Sequence, residues 1–305
     1  MIEFKRLDLS NKAHYDSYLM HCGERGCEYT FTNLFLWGRQ KAAFVAGCMV
    51  FQSQFDRRCV YPFPIGDGDL GAALDAVIHD ARARGIPCCL TSMSEADCRF
   101  LEVRYPGQFH FHANRDGHDY VYDIHALADL KGRKYQKKRN HLNRFRETHP
   151  DCVFVPIDST NEAAVREMLE AWYTVKKALE PSMNFHLEEV AIQRALQFRE
   201  ALGMESLVLM EDGKAVAFTL GSSINEEIFD IHFEKAIDEG AYVAINQAFA
   251  QYLRDKYPTL KYLDREDDMG LEGLRKAKLS YNPDHMVEKF WARLWEEEDE
   301  HCLCQ

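Results

Sequence analysis

Short apolar runs and helical stripes alternate along this chain, and their order predicts its elements. Residues 42–54 and 57–65 are rich in Val, Phe, Met, Tyr and Cys and are parted by Gln54-Phe55-Asp56-Arg57, which predicts two consecutive strands. Leu70, Ala73, Leu74, Val77, Ile78 and Ala81 recur at the spacing of one helix face, and Gly85 stops that helix. Residues 86–91 read as a strand and 94–104 as a helix. Residues 108–122 read as a hairpin turning at Asn114-Arg115-Asp116-Gly117.

In the second half, Ser159 and Glu162 have capping-box spacing ahead of a stripe of Val165, Met168, Leu169, Trp172 and Val175, and residues 187–202 form a second helix closed by Gly203. Three strands follow, 206–210, 215–224 and 227–233, joined by turns at Asp212-Gly213 and Asn225-Glu226. Then come a helix over 242–257, a strand over 260–264, a helix entered through Gly270 to Gly273, and a strand-like run near 286–293. Helix, helix, three antiparallel strands, helix, strand, helix, strand is the order expected of the Gcn5-related acyltransferase fold, and the first half shows a fainter version of it.

A chain of 305 residues exceeds one ordinary core, so two domains are expected, 1–130 and 151–305, joined by a basic connecting helix over 131–150. Hydrophobic residues are 46% and charged residues 28%, an ordinary globular composition, and no apolar run approaches the roughly 18 to 20 residues that span a bilayer. Residues 1–9 lack the apolar core of a signal peptide, so a cytoplasmic protein without a transmembrane segment is expected. The ten cysteines form no C-x-x-C pair and read as reduced thiols; Cys302 and Cys304 lack nearby partner ligands, as do His110 and His112, so no metal is expected.

Charge changes the picture at one place. Residues 131–147 hold eight Lys or Arg and one Glu, a local +7 against −12 for the whole chain, so the remainder carries −19. Tyr135, Leu142 and Phe145 give this segment one apolar stripe, leaving Lys137, Lys138, Arg139 and Arg144 as candidates to grip nucleic-acid phosphates or an anionic head group. The alternative is a merely basic connecting helix.

Gly66-x-Gly68-x-x-Gly71 fits a dinucleotide fingerprint but carries Asp67 and Asp69 where a pyrophosphate would sit, so a turn with a helix N-cap explains it better. No G-x-S-x-G elbow, H-E-x-x-H helix or Walker loop occurs, which removes the common hydrolase, zincin and nucleotide-triphosphatase readings. Asp264, Glu266, Asp267 and Asp268 cluster at a strand end, and Arg275 and Lys278 share a face of the following helix, an arrangement suited to an anion. The competing reading is a solvated helix with a Glu272/Lys276 pair.

Three ordered segments carry a family resemblance: residues 28–37 (EYTFTNLFLW), residues 134–145 (KYQKKRNHLNRF), and Gly273-Leu274-Arg275-x-x-Lys278-x-x-Tyr281-x-Pro283. Together they resemble a bacterial family related to the C-terminal domain of phosphatidylglycerol lysyltransferase, over nearly the whole chain. The resemblance implies an α+β fold: a tandem of two Gcn5-related N-acyltransferase-like domains, each a mixed, mostly antiparallel sheet flanked by helices, with the active site in the second. It implies an acyltransferase that moves an aminoacyl group from a charged tRNA to an amine or hydroxyl acceptor, without a required cofactor. The acceptor is left open among a small molecule, a peptide and a lipid head group, since this chain contains no membrane portion of the kind those enzymes carry. By the same likeness Arg275 and Lys278 take a substrate phosphate, with Tyr281 beside them.

An aminoacyl ester is already activated, so alignment, a base and an oxyanion site suffice. Candidate bases are Glu234, Asp264 and Glu266, and backbone amides of strands 215–224 and 227–233 are expected to splay around the oxyanion. Thr32, Asn33 and Trp37 are candidates for an acceptor pocket, against a simpler core role. The acetyl-CoA loop of the fold should fall at 234–244, where Gly240 is present but Asp238 and Glu239 oppose an anion, so acetyl-CoA is the less favoured donor. The rival readings are an acetyl-CoA-dependent N-acetyltransferase and a non-catalytic RNA or head-group binding module.

Overall fold

A computed structural model describes residues 1–20, 23, 25–55 and 58–295. The chain forms two units, Met1–His118 with the chain from Val287 onward, and Asp119–Met286.

The first unit contains β1 (Lys5–Arg6), α1 (Lys12–Leu19), α2 (Phe31–Trp37), β2 (Gln40–Val45), β3 (Cys48–Phe55), β4 (Arg58–Pro62), α3 (Leu70–Arg84), β5 (Cys89–Met93), α4 (Glu95–Arg104) and β6 (Phe109–Ala113). Its sheet runs β1-β2-β3-β4-β5-β14-β6, where β14 (Phe290–Leu294) arrives from the far end of the chain. The run expected as one strand over 42–54 is a hairpin instead, because Ala46 and Gly47 both take left-handed backbone angles, φ 52° and 78°. The glycines of the rejected fingerprint serve packing: a Cβ on Gly68 would lie 2.2 Å from the Ala46 carbonyl oxygen. Asp69 caps α3 by accepting from the Ala72 amide at 2.9 Å. Val50, Phe63, Leu74, Val77 and Leu90 lie in the core that α3 and this sheet share.

The second unit contains β7 (Asp119–Asp123), α5 (Ile124–Asp129), α6 (Gln136–Thr148), β8 (Val153–Val155), α7 (Glu162–Leu179), α8 (His186–Leu202), β9 (Glu205–Glu211), β10 (Lys214–Ser223), β11 (Ile228–Ala236), α9 (Glu239–Lys256), β12 (Tyr262–Asp264), α10 (Glu272–Leu279) and β13 (His285–Val287). Its sheet runs β13-β7-β12-β11-β10-β9-β8. The hairpin expected over 108–122 does not form: β6 pairs with β14 and β7 with β12, each in its own sheet. The run near 286–293 likewise splits between β13 and β14. The division between units therefore falls at His118/Asp119, and the basic helix is α6, inside the second unit. The capping box expected at Ser159 is absent from α7, since the Glu162 carboxylate is held by Arg166 and Arg199; a capping box forms instead at Ser94 and Asp97.

Tyr122, Leu209, Ala217, Phe229, Ile231 and Leu263 join Val243, Ile245, Phe249 and Leu253 of α9 and Leu142 and Phe145 of α6 in one core. Burying each larger apolar side chain there contributes roughly 1.5–3 kcal/mol, which fixes α6 and α9 against the sheet. No helix among the described residues is long and apolar enough to cross a membrane.

Candidate functional site in the second unit

The pairing of β10 with β11 steps from Gly221↔Ile231 to Leu220↔Phe233, so His232 is an extra residue in β11, a β-bulge. Opposed residues of antiparallel strands point to the same side. Asp230 faces with Ser222 and Glu234 with Thr219, three positions apart on β10, so the bulge sends Asp230 and Glu234 to opposite faces of the sheet. Strict alternation would have put them on one face.

On the face shared with α9, Glu234 accepts from Arg265 Nη2 at 2.8 Å and from Asn246 Nδ2 at 3.3 Å. Arg265 is the first residue past β12 and lies 4.8 Å from the Tyr281 ring centre and 5.7 Å from that of Tyr122. Lys138 of α6 sets its ammonium 3.8 Å from the same Tyr281 ring centre. Burial pushes Lys138 down to about 8. Two buried atoms here, Arg265 Nη1 and Asn246 Oδ1, have no hydrogen-bond partner among the described residues. Glu234 thus holds one side chain with a donor to spare and another with an acceptor to spare.

On the opposite face, Ser222 Oγ is 2.8 Å from His232 Nε2, and His232 Nδ1 is 3.2 Å from Asp230 and 3.4 Å from Glu266. Asp264 is paired in register with Asp230 and accepts the Glu266 amide at 2.8 Å. Of the three candidate bases, Asp264 and Glu266 therefore share one face and Glu234 stands on the other.

The strands that part are β11 and β12, which pair over three residues only, Ile228↔Tyr262 to Asp230↔Asp264. β10 and β11, expected to splay, pair from Ala217↔Ala236 to Ser223↔Phe229. The parting chain is clamped by α10. Arg275 donates Nε and Nη2 to the two oxygens of Asp268, both at 2.8 Å, and Asp268 also accepts from Tyr120. Lys278 donates to the carbonyls of Arg265 and Glu266, and burial holds its ammonium below the ordinary lysine value. In this structure both cations, expected to take a phosphate, hold the 265–268 loop. The exposed Glu272–Lys276 pair of the competing reading is present at 2.6 Å.

The basic segment divides similarly. Lys137 and Arg144 are exposed, whereas Lys138 is buried against Tyr281 and Arg139 donates to the Leu130 and Gly132 carbonyls. Thr32 and Asn33 are buried and Trp37 is half-buried on α2 of the first unit, where Thr30 caps the helix. His110 and His112 lie against Trp295 and Trp291 rather than together. Cys302 and Cys304 lie outside the described residues. Sequence reasoning missed Ser222, His232, Asn246 and Arg265. The signal available was Asp230, His232 and Glu234 recurring within an otherwise apolar strand.

A family model described as phosphatidylglycerol lysyltransferase, C-terminal, matches residues 21–293. A solved structure from Bacteroides thetaiotaomicron, a conserved protein of unknown function, is 37% identical, covers 97% of this chain and 100% of its own, and superposes with a TM-score of 0.88. The C-terminal domain of a putative lysylphosphatidylglycerol synthetase from Agrobacterium fabrum (14% identical, 95% of this chain, 92% of that one) shares the fold at a TM-score of 0.66. L-PGS from Bacillus licheniformis (16%, 94% and 92%) does so at 0.64. An uncharacterized protein of Mycoplasmoides gallisepticum is 26% identical over 183 residues, 58% of this chain, and the match spans about half (56%) of that relative. The fold is α+β, with one mixed, mostly antiparallel sheet flanked by helices in each of the two units. With the family model matched from residue 21 to residue 293, this chain belongs to the phosphatidylglycerol lysyltransferase C-terminal family.

Proposed function

We propose that this protein is an acyltransferase that takes an aminoacyl group from a charged tRNA and delivers it to an amine or hydroxyl acceptor, working where β11 and β12 part. The observation that carries the reading is the pair of spare atoms beside Glu234, the Arg265 Nη1 donor and the Asn246 Oδ1 acceptor. An aminoacyl ester offers the complement: a carbonyl oxygen for the guanidinium and an α-ammonium for the amide oxygen. Glu234 then acts as a positioning residue, and Lys138 is the proton acceptor. An amine held at about 8 is roughly one-tenth neutral at pH 7, enough to take a proton from the attacking group.

Lys137 and Arg144, exposed on α6, are available to tRNA phosphates. Acetyl-CoA is disfavoured as donor because Asp238 caps α9, accepting the Ala241 amide at 2.8 Å, and sets a carboxylate where a pyrophosphate would need open amides. The test is transfer of radiolabelled amino acid from bulk charged tRNA to a panel of amines, peptides and anionic lipid head groups. Label moving to one acceptor class supports the reading; no transfer and no tRNA binding at low salt overturns it, and a saturable thermal shift with acetyl-CoA would favour the acetyltransferase instead.

A further inference from the structure

Far along the second sheet from these residues, at the β8 edge, three side chains of different chemistry meet. His149 closes α6, Cys152 lies three residues later, and Glu211 ends β9. The register Val153↔Met210 continues back to set Cys152 opposite Glu211. The turn is tied by the Cys152 amide donating to the His149 carbonyl at 3.4 Å. The imidazole is stacked on Phe145, ring centres 4.5 Å apart and 22° from parallel, with Nδ1 2.8 and 3.0 Å from the two Glu211 oxygens.

The geometry points to a divalent zinc-class metal site formed by His149 Nδ1, Cys152 Sγ and Glu211. One ligand atom from each lies within 4.8 Å of the others. Tetrahedral zinc, with bonds of about 2.0–2.3 Å, holds its ligand atoms roughly 3.5 Å apart, so small rotations complete the site. The mixed nitrogen, sulfur and oxygen set selects a borderline-soft ion over calcium or magnesium. Its spacing, His-x-x-Cys in one turn, is what a metal needs to take two ligands from a short segment. Cys152 is a free, half-buried thiol and gives its proton to solvent as the metal–sulfur bond forms; water fills the fourth position. The ion would fasten the end of α6 to an edge strand only three residues long.

The full chain titrated with Co²⁺ should develop a thiolate-to-cobalt charge-transfer band saturating at one equivalent, displaced by Zn²⁺ and not by Mg²⁺. Cys152→Ser should abolish the band and weaken Zn²⁺ binding by more than the ~10–100-fold that loss of an outer partner costs. His149→Gln should alter the ligand-field bands while the thiolate band persists. A double Cys302→Ser/Cys304→Ser variant should behave as wild type. No band at one equivalent, a band surviving in Cys152→Ser, or a band lost with the tail cysteines overturns the site.

Discussion

Replacing Arg275 by alanine should destabilise the second unit, and the size of the loss distinguishes a loop clamp from a ligand-binding cation. The Asp268 side chain is fully buried and accepts two charge-assisted bonds from Arg275, and it also accepts from the Gly270 amide at 2.9 Å and from the Tyr120 hydroxyl. Removing one partner of a buried ion pair costs about 3–5 kcal/mol. The Arg275 side chain is 32% exposed, so screening reduces this to roughly 2–3 kcal/mol. For a unit of this size that lowers Tm by about 5–10 °C, read by thermal melting. The Arg275 guanidinium, ahead of the other donors, holds the Asp268 carboxyl well below the usual carboxylate range. The pair therefore contributes fully above the unfolded carboxyl pKa of about 3.9 and fades as pH falls below it, so the gap between wild type and Arg275→Ala should be wide at pH 7 and narrow toward pH 2. Asp268→Asn with Arg275→Ala should lose less than the two single changes summed. A variant that melts with wild type at pH 7 yet loses a phosphorylated ligand refutes the clamp.

Three further outcomes follow from the same geometry. Because Lys138 is held at about 8 rather than 10.5, the unfolded chain binds its proton over that interval, so wild type should gain up to ~3 kcal/mol over Lys138→Met as pH rises through it, measured by denaturant unfolding. Glu234→Gln leaves one acceptor oxygen for the two donors Arg265 and Asn246, so one of them loses its partner, and aminoacyl transfer should fall about 100-fold with the fold retained by circular dichroism; unchanged turnover would remove Glu234 from the site. Gly68→Ala should cost about 1–3 kcal/mol or more in the first unit by driving a Cβ into the Ala46 carbonyl, and an unchanged melting curve would count against that close approach.

Local patterns were readable because they depend on backbone geometry within a few residues. The stripe from Leu70 to Ala81 is α3, the Leu142/Phe145 stripe is buried, and Asp212-Gly213 turns β9 into β10 with positive φ at both residues. Three ordered motifs carried the family. Partner choice was not readable, because it depends on residues far apart in the chain. Asn114 to Gly117 looks like a hairpin turn, yet β6 and β7 each pair with a strand from more than a hundred residues downstream. Lys138 reads as one cation among eight, and only the packing of α6 turns it toward Tyr281. Arg275 and Lys278 share a helix face as their spacing requires, but the carboxylate and carbonyls that claim them come from the loop folded beneath. The sharpest case is β11: its alternating polar residues suggest one functional face, and a single bulge at His232, set by pairing with β10, divides them between two.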